Sequence, residues 1–364
     1  MSVAQPRNCN LVLRDPALRD PALRDPVLHD PVLRDPVPGP GPAADHGRTL
    51  PLRVGTRGSP LARTQTRTFL ALLARFCPVL GQDAHGQPVF EEHVIRTTGD
   101  QVQDRSLAEI GGKGLFSKEI HEALLDGRID FAVHSLKDLE TELPTGIVLA
   151  CTLRREDARD ALIPGPGCGT KGRPLDRLPL GAVIGTNSLR RQAQLLHVRP
   201  DLRITLLRGN VQQRIEKVRR GDCDASLLAL AGLLRLGLAN AATVVLDVDT
   251  MVPSAGQGIV GITTRSADTH LHALLAGIED PEARAVSSAE RALLARLDGD
   301  CRTPIGGYAR LSGNVLHLTG LVARPDGTFL LKRSLHGAAT DAARIGTELG
   351  ASLRADSPRD ILGL

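Results

Sequence analysis

From Leu52 onward, short apolar runs alternate with segments of helical period, and this alternation restricts the possible folds more than any other feature of the chain. A strand from Leu52 and a Gly-containing turn to Ser59 precede a predicted helix over 60–76, with Pro60 at its first position. Strands are then expected over 90–97, 129–134, 182–185 and 203–207, and helices over 118–126, 189–197, 211–220 and 226–234. The pattern predicts an α/β fold with largely parallel sheets covered by helices. A Gly/Pro-rich loop is expected over 164–179. After about residue 280 the texture changes to a small α+β unit. There Ser287, Ser288, Ala289 and Glu290 have capping-box spacing ahead of a helix over 292–297, strands follow over 315–322 and 329–334, and a last helix covers 339–353.

Composition excludes several classes. At 364 residues and 41% hydrophobic, the chain is long enough for two or three domains with cores of their own. Aromatics are only 2%, so aliphatic side chains must fill those cores, and stacking platforms for single-stranded nucleic acid are not available. No apolar run approaches the roughly 18 residues of a membrane span. The N-terminus lacks the apolar region of a secretory signal, so a cytoplasmic location is expected. Six cysteines, at 9, 77, 151, 168, 223 and 301, show no C-x-x-C spacing. Free thiols are expected rather than a metal cage or a disulfide framework.

Residues 14–38 read RDPAL, RDPAL, RDPVL, HDPVL, RDPVP. Proline at every fifth position forbids a helix and removes donors from a sheet. Residues 1–50 are therefore read as an extended, disordered Pro-rich tail, with a docking segment as the alternative.

Charge is unevenly placed. Between 185 and 235 stand ten basic and four acidic residues, a local +6 within a chain of net +4. Arginine dominates there, and its planar fork suits carboxylates or phosphates, so a ligand with several anionic groups is indicated. Arg199, Arg203, Arg219 and Arg220 read as solvated helix faces. Arg190 and Arg191 differ, because they open a helix just after the turn at Gly185, Thr186, Asn187 and Ser188, where free N–H groups and the dipole favour an anion. A similar unit occurs at 54–59, so two anion cradles would face one cleft.

Lys137 and Asp138 follow the strand over 129–134 and should lie at the carboxyl edge of a sheet, where open α/β folds bind ligands. Asp138 reads either as a proton-handling carboxylate or as a loop cap, and His134 as a structural histidine. Cys301, in a polar turn beside Arg302, is the best candidate for a reactive thiol.

Together these segments resemble the porphobilinogen deaminase (hydroxymethylbilane synthase) family. The resemblance runs from about Leu52 to the C-terminus and rests on RVGTRGSPLARTQT at 53–66, TTGD at 97–100, GGKGLFSKEI at 111–120, DFAVHSLKD at 130–138, GTNSLRRQAQL at 185–195, LRGNVQQR at 207–214, GLLRLG at 232–237, GQG at 256–258 and SAERALLARLDGDCRTPIGG at 288–307. It implies a transferase that joins four porphobilinogen units head to tail, releases ammonia each time and frees hydroxymethylbilane by hydrolysis, in tetrapyrrole and haem biosynthesis. It implies a dipyrromethane cofactor bound through a thioether to Cys301, and Asp138 as the catalytic carboxylate. It also assigns Arg57, Ser59, Lys137, Ser188, Arg190, Arg191, Arg208, Arg214 and Arg235 to the carboxylates of substrate and cofactor.

The implied fold is two periplasmic-binding-protein-like α/β lobes plus a small α+β domain: domain 1 over 51–150 and 259–275, domain 2 over 155–250, domain 3 over 278–364. Gly111, Gly112 and Gly114 match a mobile loop and 253–258 a hinge. Asn187 and Glu140 depart from the family pattern. A monomer without nucleic-acid or membrane partners is expected. A non-catalytic solute-binding protein and an RNA-phosphate binder are the alternatives.

Overall fold

The computed structural model describes residues 51–77, 89–102, 114–169, 172–242, 244–299 and 303–361. The tail, Gly111, Gly112 and Cys301 lie outside the described residues. Among the described residues, two five-stranded sheets and one three-stranded sheet form. In the first lobe β1 (Leu52–Arg57), β2 (Phe90–Ile95), β3 (Phe131–Ser135), β4 (Ile147–Thr152) and β10 (Val260–Arg265) are ordered β2-β1-β3-β10-β4. In the second, β5 (Asp160–Pro164), β6 (Val183–Gly185), β7 (Arg203–Thr205), β8 (Ala225–Ala229) and β9 (Val244–Val245) are ordered β7-β6-β8-β5-β9. The expected α/β class is what forms, but the sheets are mixed rather than largely parallel. The three strands at one side of each sheet run parallel, whereas β10 and β5 run antiparallel to both their neighbours.

This arrangement follows from two crossovers. The chain leaves β4 for β5 in the other lobe, and returns from β9 to β10. Each return strand enters a sheet from the opposite direction. The crossovers touch, since the Glu156 amide donates to the Gly258 carbonyl at 3.0 Å. Gly258 has φ +88°, and a Cβ there would stand 2.3 Å from the Glu156 oxygen, so this crossing requires glycine.

Helices cover the sheets: α1 (Pro60–Phe76), the single turn α2 (Thr98–Gln101), α3 (Lys118–Leu125), α4 (Leu189–Val198), α5 (Val211–Arg219), α6 (Leu230–Arg235) and α7 (Thr269–Ala276). Residues 226–229, expected to be helical, are instead strand β8. The run Ser-Leu-Leu-Ala is apolar on both faces because β8 is a central strand buried on both sides, which periodicity alone does not distinguish from a buried helix. In the first lobe Phe69 meets Phe131 edge-on at 5.4 Å within an otherwise largely aliphatic core. Cys77, Cys151 and Cys223 are buried.

The C-terminal unit packs α8 (Pro281–Arg296) and α9 (Ala342–Asp356) on an antiparallel sheet of β11 (Ile305–Ser312), β12 (Val315–Ala323) and β13 (Leu330–Ala338). Its first helix begins at Pro281, not near 292, and its N-cap is Asp280, whose carboxylate accepts from the Ala283 amide at 2.7 Å. The supposed capping box thus lies inside a helix. Its Glu290 is fully buried and has another task. Glu290 accepts from Arg155 in the first crossover (2.6 Å), from the Gly256 amide in the second (2.7 Å) and from the Ala309 amide of β11 (2.6 Å). No described helix is long and apolar enough to cross a membrane. Glu290→Ala would leave the Arg155 charge enclosed without its partner, so a loss of about 3–5 kcal/mol is expected in denaturant unfolding; an unchanged midpoint would refute this role.

Candidate active site

Ser59 ends the turn after β1 and caps α1, accepting from the Ala62 amide at 3.2 Å. Ser188 does the same after β6, accepting from the Arg191 amide at 3.4 Å. Asn210 and Gln213 form a reciprocal capping box at the start of α5. The starts of all three helices line one cleft, so their free N–H groups and dipoles bias it toward anions. The cavity measures about 500 Å³ and also receives Leu293, Leu294, Thr303, Ile305 and Gly307 from the C-terminal unit.

The structure brings Arg57, Ser59, Lys137, Asp138, Ser188, Arg190, Arg191, Arg208 and Arg214 to the cleft wall. Arg235 lies outside this lining. Its guanidinium donates to the Gly258 carbonyl at 2.6 Å, so it braces the second crossover. Cys301 lies outside the described residues, although Thr303, two positions on, reaches the lining.

A 3-10 turn over Leu136–Asp138, immediately after β3, turns Lys137 and Asp138 into the cleft. Arg57 links two carboxylates, donating to Asp138 Oδ2 at 3.3 Å and to Asp100 at 3.1 and 2.5 Å. Its guanidinium lies 4.0 Å over the Phe116 ring. Burial acts to depress the Arg57 pKa, but the bond to Asp100 and the charge of Asp138 outweigh it and the value rises.

On the other wall Arg190 and Arg191 share Asp160, a fully buried carboxylate at the start of β5, at 2.7 and 2.8 Å. They also donate to the carbonyls of Val252 and Leu227. Burial alone would raise the Asp160 pKa, yet the two guanidinium charges hold it well below the carboxylate range. Arg191 Nε is buried and has no partner among the described residues. Arg208 donates across the cleft to the Gly99 carbonyl at 3.0 Å. Arg214 donates to the Gly209 carbonyl, and burial followed by the charges of Arg191 and Arg208 pushes it down to about 10.

Lys137 Nζ approaches Gln257 Oε1 at 3.3 Å. Burial of the ammonium, with Arg191 nearby, pushes its pKa down to about 8. His134 bonds Thr263 at 2.9 Å and is held neutral by burial, down to about 3, which suits a structural role. With Arg96 added, seven cations line the cleft against two carboxylates, Asp100 and Asp138. Such a wall suits a ligand carrying several carboxylates. Among the described residues no group of three or more His, Cys, Asp or Glu is placed to hold a metal.

Asp100, Asp160 and Gln257 escaped the sequence reading. Two adjacent arginines at a buried helix start do signal that a carboxylate must exist, because unpaired buried charge is costly. Nothing local says that it stands thirty residues earlier. Of the two departures from the family pattern, Asn187 lines the cleft, and Glu140 accepts from Ser117 Oγ at 2.7 Å.

The family model described as porphobilinogen deaminase, dipyromethane cofactor binding domain, matches residues 52–273, and that of the porphobilinogen deaminase C-terminal domain matches 285–355. A porphobilinogen deaminase of Nitrobacter winogradskyi is 48% identical over 305 residues, covering 83% of this chain and 92% of that protein. One of Paracoccus denitrificans is 46% identical over 313 residues, covering 85% and 96%. Among solved structures, the periplasmic VFT2 domain of Bordetella pertussis BvgS aligns with a TM-score of 0.34 at 14% identity, over 62% of this chain and 86% of that one, a likeness too slight to carry argument.

Lys137 is charged below its pKa of about 8 and neutral above it, so the cleft loses one cation as pH rises through that value. Calorimetric binding of a simple dicarboxylate is expected to weaken about tenfold between pH 7 and 9.5, the scale of one hydrogen bond to a charged group. A flat profile would show that Lys137 does not contact the anion.

Proposed function

The chain belongs to the porphobilinogen deaminase family, and on that premise we propose how its cleft performs the reaction. It is a transferase that joins four porphobilinogen units head to tail with release of ammonia and then frees hydroxymethylbilane by hydrolysis, in tetrapyrrole, porphyrin and haem biosynthesis. Its cofactor is dipyrromethane.

One observation carries the site assignment: the Asp138 carboxylate is oriented by Arg57 inside a cleft whose remaining charged lining is cationic except for Asp100, itself bonded to Arg57. Porphobilinogen bears an acetate and a propionate, so every added ring brings two carboxylates to be held. Arg190, Arg191, Arg208, Arg214 and Lys137, with the hydroxyls of Ser59 and Ser188, receive them. Arg235 contributes at a distance, by fixing Gly258.

When ammonia leaves porphobilinogen with the C–N bonding pair, the substrate methylene becomes cationic. Asp138 stabilises that charge, and once the methylene has bonded to the free α-carbon of the next pyrrole it accepts the proton which that carbon gives up. Its Oδ2 faces Arg57, which leaves Oδ1 uncommitted among the described residues.

The cleft fits an anionic chain of pyrroles, since the buried Arg191 Nε lacks a partner among the described residues and the cavity is lined by paired arginines. Arg57, Lys137, Arg190 and Arg191 would hold the carboxylates of dipyrromethane, and Cys301 would bear the thioether. Bound in this way, dipyrromethane supplies an anchored primer that keeps the growing chain from diffusing away.

The same reading divides the chain into the 1–50 tail, domain 1 (51–150 and 259–275), domain 2 (155–250) and domain 3 (278–364), in keeping with its three sheets. It makes 253–258 the hinge. A monomer that uses neither nucleic acid nor membrane as partner completes the reading. A cytoplasmic location accords with the free buried thiols Cys77, Cys151 and Cys223.

Intact mass of the purified protein is expected to show an adduct of two linked pyrrole units that is lost in Cys301→Ser; an unmodified wild-type chain that stays inactive with porphobilinogen would overturn the proposal. Asp138→Asn should retain the adduct while turnover falls by about 10²–10⁴. Wild-type turnover in that variant would remove Asp138 from the chemistry.

A further inference from the structure

We infer that Asp160 and Gln257 are positioning residues for this reaction, which hold the Lys137 ammonium of one lobe and the Arg190–Arg191 pair of the other as a single carboxylate-receiving unit. Three elements meet in it: β5, which begins at Asp160, the second crossover, which carries Gln257, and the turn after β3, which carries Lys137.

Asp160 Oδ2 accepts from Arg190 at 2.7 Å, while Oδ1 accepts from Arg191 at 2.8 Å and from Gln257 Nε2 at 2.9 Å. Gln257 Nε2 gives its other hydrogen to the Ala158 carbonyl at 2.6 Å. Both amide hydrogens are therefore taken, and only the carbonyl oxygen remains to face Lys137, at 3.3 Å. The opposite amide orientation would set that oxygen against two acceptors at once, so the side chain has one satisfiable state. Gln257 is almost fully buried, and its own carbonyl is gripped by Arg155 Nε at 2.9 Å. It cannot follow Lys137 if that side chain moves.

Without this unit the two walls would repel each other. The groups facing Lys137 are Arg190 and Arg191 from α4, Asp138 from its own turn and Asp160 from β5. The two arginines disfavour its charge, and burial does so more strongly; the two carboxylates favour it. Deleting the Asp160 charge or the Gln257 acceptor acts in one direction, toward a neutral amine that no longer binds carboxylate.

The inference rests on the proposed reading of Lys137, Arg190 and Arg191 as carboxylate-binding groups. Gln257→Leu, Asp160→Asn and Lys137→Met are compared in the full chain carrying its cofactor. The first readout is the pH dependence of Lys137 acetylation by acetic anhydride, followed by peptide mass. The second is KM and kcat for porphobilinogen. In Gln257→Leu the labelling midpoint should fall about one pH unit below that of the wild-type chain, with KM at the wild-type midpoint up about fivefold and kcat changed less.

Asp160→Asn should move both readouts the same way; if that variant does not fold, Gln257→Leu decides. An unchanged midpoint or an unchanged KM in Gln257→Leu overturns the inference. A raised KM in Lys137→Met beside such a result leaves the site reading standing, whereas a wild-type KM in Lys137→Met overturns the site reading itself.

Discussion

The three units of this protein meet on one buried carboxylate. Glu290 accepts from a side chain in the first crossover and from backbone amides in the second crossover and in β11. It is one point at which both crossovers and the C-terminal unit are joined, beside bonds such as those from Arg291 to the carbonyls of Leu139, Glu140 and Thr141. A carboxylate suits this position because two oxygens offer about four acceptor sites in a small volume, and the charge of Arg155 offsets its desolvation. An apolar residue of equal size would fill the space but leave the Gly256 and Ala309 amides unsatisfied.

The cleft shows the complementary problem of gathering like charge. Seven cations in a partly enclosed wall repel one another and lose hydration, and both effects push Lys137 and Arg214 below their ordinary values. Asp100, Asp138 and Asp160 are the counterweights, and each has a different position. Asp160 lies behind the wall and is consumed by Arg190, Arg191 and Gln257. Asp100 lies beside Arg57 and is consumed by it and by Thr97. Asp138 alone meets the cleft with an oxygen uncommitted among the described residues. The carboxylate best placed for chemistry is therefore the one least used for structure.

Much of the site was legible because its residues stand in short contiguous units. Ser59 and Arg57 share one strand-turn-helix junction, Ser188, Arg190 and Arg191 another, and Lys137 and Asp138 one turn. Local rules for caps, dipoles and sheet edges place such residues without knowledge of the rest. Arg235, which the resemblance assigned to a ligand, shows what local rules do not place, since it lies outside the cleft lining and donates to a backbone carbonyl of the crossover. Strand β8 and the buried Glu290 show the same limit, because periodicity and capping-box spacing describe a segment and not what encloses it.

The sequence by itself determined the α/β class, the anion-binding character of the helix starts and the membership implied by the run of motifs, all of which depend on neighbours within a few positions. Only the tertiary structure decided that β10 and β5 run against their sheets, and that Asp160 lies between two arginines. It also decided that Gln257 has a single satisfiable orientation beside Lys137. Those facts depend on groups far apart in the chain being enclosed together, where each buried donor and charge must find its partner among whatever the crossovers bring near.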